Sequence, residues 1–139
     1  MCVNSRLAHI SVPDPVFCTS SAADPESCTL VRAKARLDRL ELYPRPVRLT
    51  GVRLVVAPWL FRLPWLRRFD GYATHFLIFL RTRAHADDED LVTHELCHVW
   101  QMQHAPLRMP LSYLRGYSGN RYELEARGAV ERTRCAPSP

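Results

Sequence analysis

Apolar positions along the chain fall into segments of two different periods. Leu30, Val31, Ala33, Leu37 and Leu40 recur with charges between them, which predicts a helix from Ser27, as its cap, to about Leu42. Arg36 to Leu42 also fits a strand, because Leu37, Leu40 and Leu42 do not decide between the periods. Tyr43-Pro44-Arg45-Pro46 stops either one. Val52 to Ala57 is short and rich in β-branched residues, hence a strand. Pro58 and Pro64 then interrupt a Trp/Leu/Phe/Arg stretch that reaches Phe69. Its aromatics are expected to pack back on the core, with contact to a membrane interface as the rival reading. Asp70-Gly71 makes a turn, and Tyr72 to Arg81, with the apolar run Phe76 to Leu80, reads as a second strand. The two strands together predict a β-hairpin.

A longer helix follows. Ala86-Asp87-Asp88-Glu89-Asp90 supplies the negative charge that a first helical turn favours, with Asp87 as cap and Asp90 as the acid at the third position. Pro106 ends the helix a little past His104, giving about 16–18 residues from start and stop signals. Leu111 to Gly116 is too short to assign. Tyr117-Ser-Gly119-Asn120 is a turn, and Asn120 caps a last helix from Arg121 to about Arg134. Ala126, Ala129 and Val130 give that helix a small-residue face able to pack closely. The expected fold is therefore a single small α+β domain over residues 29–139. An arm over residues 1–28, rich in Ser, Pro, Asp and Cys, precedes it.

Composition narrows the function classes. With 139 residues the chain can build one core without a disulfide framework, and 47% hydrophobic with 24% charged residues is ordinary for a soluble domain. The net charge of +5 carries little weight for nucleic acid. Lys34 is the sole lysine among 19 basic residues, and the arginines are scattered along the chain, so no nucleic-acid partner is expected. Five cysteines at positions 2, 18, 28, 97 and 135, an odd number with no CxxC, argue against a disulfide scaffold. The first residues lack the charged start and apolar run of a signal peptide. No window approaches the ~18–20 apolar residues of a membrane span. A cytoplasmic setting is the expectation.

The chemistry is concentrated in His94-Glu95-Leu-Cys97-His98. Residues four apart on a helix lie one turn above each other, so His94 and His98 face one metal ion with Glu95 beside them. Zinc suits such a site, which in its catalytic form takes three protein ligands and leaves a fourth position to water. Cys97 is offset by one position and reads as a small buried filler. The third ligand must come from elsewhere. Glu123 and Glu125 are the acids near the start of the last helix, and the residues alone do not choose between them. Glu123 has a structural alternative, since Asn120-x-x-Glu123 is arranged like a capping box.

His94-Glu-Leu-Cys-His98-Val-Trp-Gln, followed by Asn120-Arg-Tyr-Glu123-Leu-Glu125-Ala126, resembles the gluzincin zinc metallopeptidases, and most closely their small bacterial forms. The resemblance covers about residues 50 to 134. It implies a zincin-like domain in which a metal helix is followed by a glutamate helix. It makes Glu123 the third ligand and Glu95 the general base, and it sets an edge strand near His75 to align an extended peptide. Arg121 stands where those proteins often have proline, and no aspartate follows Ala126. The implied activity is hydrolysis of peptide bonds in a peptide or protein substrate, with a zinc-activated water and Glu95 moving its proton. An oxyanion donor is also required, for which His104, Tyr113, Tyr117 and Tyr122 are candidates. The alternative is a domain that keeps its metal but serves as a binding or regulatory module.

Overall fold

The computed structural model describes residues 25–117 and 119–135, so the expected arm lies outside the described residues up to position 24. Helix α1, Pro25–Asp38, buries Leu30, Ala33 and Leu37 at the spacing of one helical face. It opens at Pro25 because proline suits a first turn, which leaves Ser27 inside the helix rather than at its cap. It also stops earlier than expected. The Leu40 N–H bonds the Leu37 carbonyl, and Leu40 and Leu42 pack on the core from a loop, not from a longer helix or a strand.

Three strands follow: β1 Arg53–Val56, β2 Gly71–Ala73 and β3 Leu77–Leu80, in the spatial order β1-β3-β2. The expected hairpin between the first two apolar segments does not form. β1 pairs parallel with β3, Leu54 opposite Ile78, while β2 pairs antiparallel with β3, Tyr72 opposite Phe79. The single strand expected over residues 72–81 is broken by a turn at Thr74, whose N–H bonds the Leu77 carbonyl at 2.8 Å and whose hydroxyl accepts the Leu77 N–H at 3.0 Å. A side chain that closes its own turn thus replaces one long strand by a tight hairpin, and puts β2 at the sheet edge.

Between β1 and β2 the proline-broken stretch makes one 3₁₀ turn at Leu60–Arg62. Phe61 and Leu66 pack inward as expected, but Trp59 and Trp65 stay 67% and 66% exposed. Helix α2, Arg83–Ala86, is a single turn that leads into α3, Glu89–His104. The cap of α3 is Asp88, one residue later than expected: its carboxylate accepts the Asp90 and Leu91 N–H groups at 3.0 Å each. Asp88 has the extended backbone that a cap needs, whereas Asp87 is helical and closes α2. α3 is buried along most of its length, from Val92 and Thr93 through Leu96, Val99 and Trp100 to Met102, so it forms the centre of the domain.

Helix α4, Arg108–Ser112, and a 3₁₀ turn at Tyr113–Arg115 occupy the segment left unassigned above. Helix α5, Arg121–Cys135, starts where expected, with the Asn120 side chain accepting the Tyr122 N–H. Asn120 also donates to Ser112, which ties the start of α5 to α4. Ala126 and Ala129 are fully buried and join the core cluster shared by α1 and α3. Arg36 on α1 binds Asp90 on α3 and Thr133 on α5, locking the three helices at one end. No described helix is long and apolar enough to cross a membrane.

Candidate metal centre

The front of α3 brings His94 and His98 together as their spacing requires, with the two Nε2 atoms 3.2 Å apart. The first turn of α5 supplies Glu123, whose carboxylate oxygens lie 3.4 Å from His94 Nε2 and 3.3 Å from His98 Nε2. The expected trio therefore converges, and its donor atoms can hold one metal ion. The spacing bears on which ion. Bonds of about 2.0–2.1 Å at tetrahedral angles hold ligand atoms about 3.3 Å apart, so an ion of that bond length, zinc among them, fits. A second observation agrees: Glu123 Oε2 is buried with no hydrogen-bond partner, although it sits beside the two imidazoles. Leaving a buried carboxylate oxygen unpartnered is costly, and a cation between these groups removes the cost.

Behind the trio lies a chain of hydrogen bonds that spacing alone did not reveal. Gln101 is fully buried one turn beyond His98, and its amide N–H groups are used by the Tyr122 carbonyl and by Glu125. Its amide oxygen is thereby aimed at His98 Nδ1, 2.8 Å away. The network assigns the proton to Nδ1 and leaves the Nε2 lone pair facing Glu123 and His94. Glu125 is held in turn by the Tyr43 hydroxyl at 2.5 Å. The two glutamates thus separate by role: Glu123 faces the histidines and Glu125 buttresses them from behind. Neither acts as the partner of the Asn120 backbone N–H, which donates to the Tyr117 carbonyl at 3.2 Å. The one sequence signal for Gln101 was its place three residues after His98, on the same helical face.

Glu95 is buried against the sheet edge. A Cβ placed on Gly71 of β2 would stand 2.6 Å from Glu95 Oε1, so only glycine lets the strand approach this closely. Burial pushes the Glu95 carboxyl above its ordinary range, against the opposing pull of the two imidazoles. For Glu123 the balance is reversed: burial acts upward, but the adjoining His94 and His98 imidazoles hold it far below the carboxylate range. Burial would lower His98, and the Glu123 bond, the Glu95 charge and Gln101 outweigh it and raise it.

His94, Glu95 and His98 form the floor of a cleft of about 570 Å³. One wall is Trp65, Leu66, Arg68, Phe69 and β2, and the other is Met109, Pro110, Tyr113 and Tyr117. The four oxyanion candidates divide here. Tyr113 and Tyr117 line the cleft, as does His75. His104 instead stacks on Tyr43 and bonds the Trp100 carbonyl, and the Tyr122 hydroxyl accepts from Arg121; neither lines the cleft. Cys97 is wholly buried, and burial with the nearby Glu125 charge pushes its thiol up, as befits a filler.

No family model, no curated protein and no solved structure matches the chain.

Proposed function

We propose that the chain is a zinc-dependent metallopeptidase of gluzincin type in which His94, His98 and Glu123 hold the metal and Glu95 is the general base. The observation that supports this best is the triangle of donor atoms 3.2–3.4 Å on a side, with the buried Glu123 Oε2 lacking any other partner. When bound, zinc supplies a Lewis acid that polarises a carbonyl and lowers the pKa of water. The remaining work belongs to the chain's own residues. Gln101 and Glu125 keep His98 in the tautomer that offers Nε2. Glu95, raised by burial and packed against Gly71, takes the proton of the attacking water and passes it to the leaving amine. Tyr113 and Tyr117 are the two hydroxyls on that wall able to meet the oxyanion. Burial pushes the Tyr113 phenol up, which keeps it a proton donor throughout the neutral range.

β2 is an edge strand beside Glu95, and an extended peptide laid along it brings a carbonyl over the site. The substrate on this reading is a peptide or protein, with apolar side chains received by Trp65, Phe69 and Met109. The test is cleavage of a mixed peptide library by wild type and by Glu95→Gln. Wild type should cleave, and the variant should keep its zinc and fold while losing about 100-fold or more in rate. A folded, zinc-loaded wild type that cleaves nothing would replace the peptidase by a metal-holding binding module.

A further inference from the structure

Both walls of the cleft continue into segments of unusual composition. Residues 58–69 and 105–119 contain no aspartate or glutamate, yet carry Arg62, Arg67, Arg68, Arg108 and Arg115. These five equal the chain's whole formal excess of +5, so the rest of the sequence is balanced. All five are exposed, and among the described residues no carboxylate pairs with any of them. The same two segments hold five of the large apolar side chains left outside: Trp59 and Trp65 on one, and Leu107, Leu111 and Leu114, 72%, 58% and 82% exposed, on the other. The segments adjoin: the Phe69 and Tyr117 rings lie 4.9 Å apart, and the Arg68 guanidinium sits over both rings.

We propose that this rim docks the protein on an anionic membrane surface, with Trp59, Trp65 and the three leucines entering the headgroup boundary and the arginines meeting lipid phosphates. Charge complementarity selects the occupant. A second copy of the chain would set unpaired arginines against unpaired arginines, which repel. Nucleic acid would satisfy the arginines but leave the three leucines in water, whereas a lipid interface takes both kinds of side chain at once. Tryptophan suits that boundary because its apolar body carries one polar N–H. Five exposed apolar side chains with basic neighbours suit attachment at the surface, which is reversible. Docked this way, the mouth of the cleft faces the bilayer.

The inference does not rest on the metal, and the experiment keeps the two separate. Full-length protein is sedimented with vesicles of phosphatidylcholine alone or with added phosphatidylglycerol, while tryptophan emission is recorded. Trp100 is buried, so the change reports Trp59 and Trp65. Wild type should bind the phosphatidylglycerol vesicles, shift its emission to the blue, and bind more weakly as salt is added. Trp59→Ser with Trp65→Ser should lose the shift and at least about tenfold in binding. Arg62→Gln with Arg67→Gln should lose about fivefold for each arginine. Circular dichroism checks that the variants fold, and His94→Ala with His98→Ala, which removes metal ligands only, should bind as wild type does. Failure to bind anionic vesicles, equal binding to neutral ones, or unaltered binding by both rim variants overturns the proposal. So does binding to a single-stranded oligonucleotide, or formation of a dimer that the rim variants dissolve, in place of vesicle binding.

Discussion

Beneath the floor of the cleft, between α3 and α5, polar side chains hold one another. Tyr43 binds Glu125, Glu125 binds Gln101, Gln101 binds His98, and His98 faces Glu123. On the rim, a few residues outward, Trp59, Trp65, Leu107 and Leu114 touch little and stand in solvent. The two regions draw on different residues, acids, an amide and imidazoles in the first and tryptophans, leucines and arginines in the second, and only the first is built to a fixed geometry. A site that must place ligand atoms within a few tenths of an ångström needs each group over-determined by its neighbours. A surface that meets a deformable partner needs exposed area and charge, and can leave its side chains free. Substitutions on the floor should therefore change chemistry and metal affinity, while those on the rim should leave metal affinity alone.

The sharpest contrast is expected at Gly71. Replacing it with alanine drives a methyl group to 2.6 Å from Glu95 Oε1, so the carboxylate or the strand must shift. A displacement of about 1 Å at a proton-transfer group costs on the order of 100-fold in rate. Gly71→Ala should lower peptide cleavage by that much while zinc content stays at the wild-type level; steady-state kinetics beside metal analysis measures both. An unchanged rate would mean that Glu95 has no fixed position to lose. Next comes Gln101→Leu, which removes the acceptor on His98 Nδ1. Zinc affinity, read by competition with a chromophoric chelator, should fall by about 10–100-fold. Nitrogen chemical shifts of the His98 ring in metal-free protein should show the fixed tautomer lost, a change that loosened packing alone does not produce. Smallest of all is the rim. Trp59→Ser with Trp65→Ser should keep zinc affinity and alter unfolding free energy by no more than about 0.5 kcal/mol, since surface side chains away from special features contribute little. Chemical denaturation measures it, and a large loss would show that the rim is part of the core after all.

Much of the floor was legible in the chain itself. The interval between His94 and His98 places them on one helical face, and the acids before Leu91 mark where that helix begins, to within one residue. Glu123 and Glu125 were not separable by distance along the chain. They lie two positions apart on α5, about 200° around the helix, so only one can face α3's histidines while the other turns toward Tyr43. Choosing needed the rotation of α5, which Asn120 and the buried Ala126 and Ala129 fix through packing. Gln101 escaped notice because a glutamine after a metal motif carries no local mark of burial. The sheet failed differently. Thr74-His75-Phe76 contains none of the glycine, proline, asparagine or aspartate that usually announce a turn, so β2 and β3 read as one strand. Parallel pairing of β1 with β3 leaves no trace in local spacing at all. For the rim, composition was visible but its fate was not: Phe61 and Leu66 went inward, and Trp59 and Trp65 did not.

The metal itself is the centre of this account, and one measurement bears on it most directly. Protein purified without added metal, then loaded with zinc and dialysed, is analysed for metal beside His94→Ala with His98→Ala and beside Glu123→Gln. Wild type should retain one zinc per chain, the double histidine variant none, and Glu123→Gln should lose affinity by more than the roughly 100-fold upper range of an outer partner such as Gln101. A wild-type chain that holds no more zinc than the double variant would contradict the site outright.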